Sequence, residues 1–181
     1  MSETKTLKNI YTELKSKFQD KKLVFGVGAQ DAKIVFVGEM PGPDEIAKGS
    51  PIAGSQEKLL NQLLKSAGIN KKKTYFTNVV KYHPNGNMPS PKEIKAHAAF
   101  LREEIKAINP SIVVTLGTLA LNGVGMRQPL GNVHGKIFSL GDHDLLPTFH
   151  PTHALRDPNT KTLLEADFVK LKDLVITKLS V

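Results

Sequence analysis

The sequence predicts an α/β fold of three layers, in which helices cover both faces of a central, mostly parallel sheet of four strands. Two observations predict this fold. Four short apolar runs rich in β-branched residues are each typical of a buried strand, and amphipathic helical patterns lie between or after them. Strands that alternate with helices form a mostly parallel sheet with both faces covered. The predicted strands are residues 34–37, 75–80, 112–116 and 145–149.

The spacing of apolar residues predicts four helices. The first, near the N-terminus, is expected to pack on the rest of the fold. The second carries four leucines on one face, with Ser55 as its cap, and ends before Gly68. The third opens at a capping box from Ser90 to Glu93, with proline at its first position. The predicted helices lie within residues 1–20 and at about 55–67, 91–108 and 160–179.

Composition narrows the class of protein. The 181 residues are 40% hydrophobic and include no cysteine. The absence of cysteine excludes disulfides, thiolate metal sites, cysteine nucleophiles and cysteine-ligated iron–sulfur clusters. No apolar run approaches the ~18–20 residues of a membrane helix, and no hydrophobic signal segment opens the chain. With no dividing linker or repeat, we expect a single domain over residues 1–181, monomeric and cytoplasmic, with no membrane partner and no cofactor.

The charge balance indicates an anionic partner. Lys and Arg number 25 against 17 Asp and Glu, a formal net charge of +8. Such cations gain affinity for nucleic acid by displacing counterions from phosphates. A solvated basic surface explains the composition equally well. Only three of the cations are arginine, so any contact with nucleic acid should be directed mostly to its backbone.

Unusual polar clusters follow all four predicted strands. They lie at residues 38–42, 78–87, 117–118 and 150–153. In a parallel sheet the carboxyl ends of the strands meet at one edge, and ligands bind outside that edge. The sequence therefore predicts that four distant segments converge on one binding site.

These segments also carry family motifs. The motifs are Val37-Gly38-Glu39-Met40-Pro41-Gly42, Thr77-Asn78-Val79-Val80-Lys81, Leu116-Gly117 and His150-Pro151-Thr152-His153-Ala154-Leu155-Arg156, with Gly49 to Gly54 at matching spacing. Together they resemble the uracil-DNA glycosylase superfamily, and most of all its family 4, whose members normally carry a [4Fe-4S] cluster. The resemblance extends from about Val24 to Leu174. It implies hydrolysis of the N-glycosidic bond of deoxyuridine in DNA, which releases uracil and leaves an abasic site.

Asn78 and His150 are the principal catalytic candidates. The Asn78 amide has the right groups to donate to uracil O4 and accept from N3–H, and cytosine presents the opposite pattern. An asparagine that stabilises the turn after the strand is the alternative. For His150, the resemblance implies a hydrogen bond from a neutral imidazole to uracil O2. The alternative is a histidine bonded to the backbone of a turn, and a rigid turn would also preorganise the ring.

The segment from Gly38 to Gly42 is expected to bind uracil and to activate water. The resemblance places Glu39 near the sugar as a third catalytic residue and makes Gly38, Met40 and Gly42 part of the substrate site. Met40 stands where other branches of the superfamily have Asp or Asn, so that side chain cannot serve as a base. Glu45 is expected to crowd the uracil 5-position and disfavour thymine. A solvated loop charge is the equal alternative for Glu45.

Four residues are candidates for contact with DNA outside the base. The segment with His153, Leu155 and Arg156 resembles the loop that enters the minor groove, with Leu155 as the apolar wedge and Arg156 on a phosphate. Alternatively, Leu155 packs under the last helix. Lys81 is a candidate backbone contact, although such lysines are more often simply solvated.

The chain departs from the family 4 pattern in two places. Tyr82 stands where a cluster cysteine is expected, and His97 lies near the position of another. We therefore expect no metal and a cluster niche filled by ordinary packing, with His97 in the core. Ile52 replaces a phenylalanine that stacks on uracil, which should weaken the site or broaden it to other deaminated bases. The alternative function is a weakly active or non-catalytic DNA-binding module, for processivity or damage sensing.

Overall fold

The computed structural model describes residues 4–84 and 88–179, and its central sheet has six strands. The strands are Val27–Gly28 (β1), Ile34–Gly38 (β2), Thr74–Asn78 (β3), Ile112–Leu116 (β4), Phe138–Ser139 (β5) and Asp144–Thr148 (β6). The helices are Leu7–Lys17 (α1), Pro43–Lys48 (α2), Gly54–Ser66 (α3), Pro91–Ile108 (α4), Thr118–Gly123 (α5), Leu130–Val133 (α6), Pro151–Ala154 (α7) and Pro158–Leu179 (α8). A 3-10 turn covers Lys71–Lys73. The last part of the predicted polar cluster at 78–87 lies outside the described residues.

The three-layer α/β prediction is confirmed, and the prediction of four strands is wrong. The order of the sheet is β1-β3-β2-β4-β6-β5, and its four central strands run parallel. These four are the predicted strands. The edge strands β1 and β5 pair antiparallel with their neighbours and have two residues each. Segments this short carry no alternating apolar pattern, so the sequence does not reveal them.

Two apolar cores lie on opposite faces of the sheet. Helices α1, α4 and α5 pack with one set of strand side chains. Helices α3 and α8 pack with the other set. Every residue of β2, β3 and β4 is buried, as expected for parallel strands covered on both sides. Within the described residues, no helix is long and apolar enough to span a bilayer.

The predicted helix ends are close to the observed ones. The Ser90 hydroxyl accepts from the Glu93 N–H at 3.2 Å, and the Glu93 carboxylate accepts from the Ser90 N–H at 2.8 Å, so the capping box is confirmed. Helix α3 starts one residue earlier than predicted, at Gly54, where φ is +64°. Since a left-handed residue is easiest for glycine, Gly54 sharpens the turn that brings the segment before it to the carboxyl edge of the sheet.

Candidate active site

A narrow cleft opens at the carboxyl edge of the sheet, between β3 and the start of α3. Asn78, His150, Ile52 and Gly38 all line it. The structure therefore brings together four of the predicted site residues from four separate segments. The cleft has a volume of about 20 Å³. That is room for about one water molecule, so this conformation is narrower than a pyrimidine ring.

Asn78 is the last residue of β3 and is only 3% exposed. Its side-chain NH₂ donates to the carbonyl oxygen of Pro51 across a long distance of 3.5 Å. Gly38 is its partner in the adjacent strand, and a Cβ at position 38 would collide with Asn78 Oδ1. Glycine at position 38 thus makes room for the amide, whose polar atoms meet the cleft with one weak protein partner.

His150 is held by the turn that starts α7. Its Nδ1 accepts from the Thr152 N–H at 3.2 Å, so the proton of the neutral ring lies on Nε2. Burial is the main reason that the pKa of His150 falls to about 4, with a smaller contribution from His153. At neutral pH the imidazole is therefore uncharged and has one free N–H donor. Proline at position 151 opens the short helix and fixes this turn.

Glu39 lies directly after β2 and bridges to the start of α5. Its Oε2 accepts from the Leu119 N–H at 2.8 Å. Burial raises the pKa of Glu39, while that hydrogen bond and the nearby His153 partly oppose the rise. Gly117 comes so close that a Cβ there would lie 2.9 Å from the carboxyl carbon of Glu39. A half-buried carboxylate that favours its protonated form more than usual is suited to accept a proton from water.

The other members of the Gly38–Gly42 segment have supporting positions. Met40 is partly buried and packs against the core formed by α1, α4 and α5. The Gly42 N–H donates to the Glu45 carboxylate at 2.9 Å. Of this segment, Gly38 alone lines the cleft as described, and the contacts of Met40 and Gly42 fix the backbone that follows it.

Glu45 was expected near the base, but it is not among the residues that line the cleft. It is 3% exposed, and its carboxylate accepts from the N–H groups of Gly42 and Ala53 and from the amide of Gln56. The alternative of a solvated charge is wrong, while the contact with the uracil 5-position stays a prediction. Buried carboxylates need such donors, and Glu45 finds them by joining the segment before α2 to the segment before α3.

The prediction that Lys81 contacts the DNA backbone is wrong, and so is the alternative of a solvated lysine. The side chain is fully buried and cannot reach a DNA phosphate. Its Nζ donates to Glu104 Oε2, Thr77 Oγ1 and the Asn78 carbonyl oxygen, each at 2.6 Å. Glu104 also accepts from the hydroxyls of Tyr11 at 2.7 Å and Thr77 at 2.8 Å. Sequence alone does not show this partnership, since Glu104 is on a different element, in the last third of α4.

The remaining DNA candidates lie together on and after α7. His153 and Arg156 are exposed, and the exposed fraction of Leu155 is 48%. The alternative that Leu155 packs under the last helix is therefore wrong. The N–H groups of Leu155 and Arg156 donate to carbonyls of the preceding turn at 3.0 Å, which presents both side chains from a compact segment.

An iron–sulfur cluster does not fit this chain. The chain has no cysteine to supply thiolates. His97 is fully buried as predicted, and its ring stacks on Phe18 at 4.4 Å and meets Tyr82 at 5.2 Å. The rings of Phe18, Tyr82 and His97 thus pack together where the cluster was expected in family 4. In the described part of the chain, no three His, Asp or Glu side chains are grouped as metal ligands would be.

Several cleft residues were not singled out from the sequence. Phe36, Phe76 and Gln56 line the same cleft. The two phenylalanines stack on each other at 5.0 Å between ring centres and form its apolar floor. The signal for them was the period of two along a strand, since Phe36 and Phe76 precede Gly38 and Asn78 by two residues and share their face.

The fold and the cleft define a class of α/β proteins that bind a ligand with loops at the carboxyl edge of a parallel sheet. Comparison with known proteins gives the family. Residues 25–172 match the model of the "Uracil DNA glycosylase superfamily". The chain belongs to this superfamily.

Individual relatives agree with this assignment. The Type-4 uracil-DNA glycosylase of Thermotoga maritima is 38% identical over 84% of this chain and 83% of its own. The Type-4 enzyme of Sulfurisphaera tokodaii is 36% identical over 84% of this chain and 74% of its own. That of Archaeoglobus fulgidus is 35% identical over 82% of this chain and 80% of its own.

Proposed function

We propose that this protein is a monofunctional uracil-DNA glycosylase, which hydrolyses the N-glycosidic bond of deoxyuridine in DNA. It releases uracil, leaves an abasic site, and works as a monomeric single domain in the cytoplasm. The observation that carries the proposal is that Asn78 and His150, on two separate strand ends, line one cleft. Family membership and relatives named for this activity support it.

Asn78 and His150 stabilise the departing base. When the bond from C1′ to N1 breaks, its electron pair stays on uracil, and negative charge spreads to O2 and O4. The Asn78 amide donates to O4 and accepts from N3–H, and the neutral His150 donates from Nε2 to O2. Donors aimed at developing charge in a buried site lower the barrier most, because they need no reorganisation during the reaction.

Glu39 activates the water that completes the reaction. The sugar left at C1′ is electron-poor, and a water oxygen adds to it from the side opposite uracil. The Glu39 carboxylate orients this water and accepts its proton. Its other oxygen remains bonded to the Leu119 N–H, which holds the carboxylate in one orientation.

Entry of the base needs both a change in the DNA and a wider cleft. The nucleotide leaves the stack at a cost of a few kcal/mol, least when it is unpaired or mispaired. Leu155 fills the space it leaves, while His153 and Arg156 contact the backbone. The hydrogen bond from Asn78 to Pro51 gives way to uracil, and the segment containing Ile52 moves outward.

Incubation with oligonucleotides containing one uracil, followed by alkali to cut abasic sites, tests the proposal. The wild type should cut single-stranded or duplex substrate. Asn78→Ala and His150→Ala should each lose about 10²–10³-fold in rate, as expected for one removed donor. Both should keep their salt-sensitive affinity for DNA. Lys172→Ala, on the exposed side of α8, is the matched control. Full activity in both cleft variants would contradict the proposed site.

Ile52 favours a second candidate, a glycosylase-like protein that binds DNA but cleaves slowly. The side chain lines the cleft, is 6% exposed and has no aromatic face for a base. The same assay decides between the two functions, because the second predicts DNA binding without abasic sites. Parallel substrates with hypoxanthine and xanthine measure whether the cleft accepts other deaminated bases.

A further inference from the structure

A long basic groove lies on the face of the molecule formed by α4 and α5. Its larger hollow has a volume of about 800 Å³ and runs between α4, α5 and the segment after α5. Lys95, Arg102 and Arg127 line this larger hollow, and none of the described residues that line it is acidic. The chain has only three arginines, and two of them are in this groove. The third, Arg156, is in the segment already proposed to contact DNA.

Lys95, Arg102 and Arg127 have no acidic partner among the described residues. Within residues 4–84 and 88–179, none of them takes part in an ion pair or a side-chain hydrogen bond, and all three are exposed. Lys48 and Lys71 show the contrast, since each pairs with Glu57. Unpaired guanidinium groups keep their donors free for a ligand with several anionic oxygens.

One end of the groove lies close to Glu39. Pro91 and Thr118, at the first positions of α4 and α5, line its upper end, which lies at the carboxyl edge of the sheet. The next residue, Leu119, donates to Glu39. A ligand at this end of the groove would therefore lie close to Glu39.

The groove also continues downward along α4. A second hollow of about 700 Å³ shares Arg102 with the first and adds Lys106, and the acidic Asp142 lines its far side. The α4 cations that line the two hollows extend from Lys95 to Lys106, a length of about 17 Å along the helix. Phosphates of one DNA strand are about 3.4 Å apart along the duplex axis, so this length matches about five of them.

We propose that this α4–α5 groove binds the phosphodiester backbone of the DNA that flanks the target nucleotide. The inference rests on the proposed function, because it places uracil in the cleft beside Glu39. Charge complementarity and the position of the groove next to Glu39 favour DNA over other anions. Contacts to the backbone by two arginines and a lysine fix the position of the strand without reading its sequence.

The test compares two double variants with the same change of charge. Arg102→Glu with Arg127→Glu alters the groove, while Lys65→Glu with Lys172→Glu alters exposed lysines of α3 and α8 on the opposite layer. Affinity for a long uracil-containing single strand is measured by fluorescence anisotropy at several salt concentrations. The groove variant should bind at least about tenfold more weakly, and its salt slope should fall by about 1.4, for two lost phosphate contacts. The control should change by less than about threefold.

Substrate length separates this proposal from the function on which it rests. On an oligonucleotide that ends just beside the uracil, the groove variant should cleave with the kcat/KM of the wild type. Two further substrates carry extra DNA only on the 5′ side or only on the 3′ side of the uracil. The groove variant should have a lowered kcat/KM on one of these two substrates and not on the other. Failure of the wild type to cleave any substrate would overturn the proposed function. Equal losses in the groove and control variants would overturn the proposed role of the groove and leave the proposed function standing. If the reversed charges impair folding, the double variant Arg102→Gln with Arg127→Gln repeats the test.

Discussion

The ammonium group of Lys81 lies 2.6 Å from Glu104 Oε2, and both residues are completely buried. The same ammonium group holds the main-chain oxygen of Asn78 at 2.6 Å. A buried ion pair adds little to stability by itself, because the loss of hydration offsets most of the attraction. Its position suggests a different role, which is to fix the end of β3 where the uracil-reading amide starts.

Replacing Lys81 alone, or Lys81 together with Glu104, should separate the effect of the ion pair on stability from its effect on the position of the Asn78 amide. Lys81→Met should lower the free energy of unfolding by about 3–5 kcal/mol, because Glu104 then stays buried without its cation. Adding Glu104→Met should recover part of that loss, since an apolar pair needs no hydration. Urea unfolding of the three proteins measures both effects.

The double variant should still be impaired in the reaction. With no donor on the Asn78 carbonyl, the amide is less well fixed, so inhibition by free uracil should weaken while affinity for undamaged DNA stays unchanged. A double variant with the uracil inhibition of the wild type would show that Lys81 and Glu104 are structural only.

Glu39→Gln tests the proposed base. The amide keeps the size of the side chain but cannot accept the proton of water, so the rate should fall by about 10²–10⁴-fold. In the wild type, activity should decline as pH falls through the raised pKa of Glu39, at a pH above the range usual for a carboxylate. His150 stays neutral down to about pH 4 and does not obscure this decline. The pH profile of kcat/KM measures it, and an unchanged acid limb in the variant would contradict the role of Glu39.

His97→Phe should stabilise the fold, and more so in acid. Both ring nitrogens of His97 are buried, and neither has a hydrogen-bond partner among the residues that the structure describes, which costs about 1–3 kcal/mol. Burial is also the main reason that its pKa falls from 6.5 to about 4. The unfolded chain therefore binds the proton first, and the stability of the wild type decreases as pH falls from 6.5 toward 4.

The variant lacks this titration. Its advantage over the wild type should therefore grow by about 2 kcal/mol between neutral pH and about pH 5. Urea unfolding at the two pH values measures the difference. The same advantage at both pH values would show that His97 is not the group responsible.

The architecture of the site was predictable because short stretches of sequence determine each strand and the loop that follows it. Each central strand is a continuous apolar run, and parallel strands put their carboxyl ends at one edge, so Asn78 and His150 could be placed together without coordinates. Charged side chains were less predictable. Lys81 and Glu45 looked like surface charges because the sequence does not show their partners, Glu104 on α4 and Gln56 on α3. The short edge strands were missed because two residues have no period.

Ile52→Phe tests whether the cleft lacks a stacking surface. Isoleucine is 6% exposed there and offers no flat face to a pyrimidine. Stacking of a base on an aromatic ring contributes about 1–3 kcal/mol. A gain of about 1.4 kcal/mol, within that range, corresponds to about a tenfold increase in kcat/KM on uracil-containing single strands. Ile52→Leu, which changes shape without adding a ring, is the control. If phenylalanine gave no increase over leucine, the base would not lie against position 52, and the rings of Phe36 and Phe76 below the cleft would be the apolar surface that the base meets.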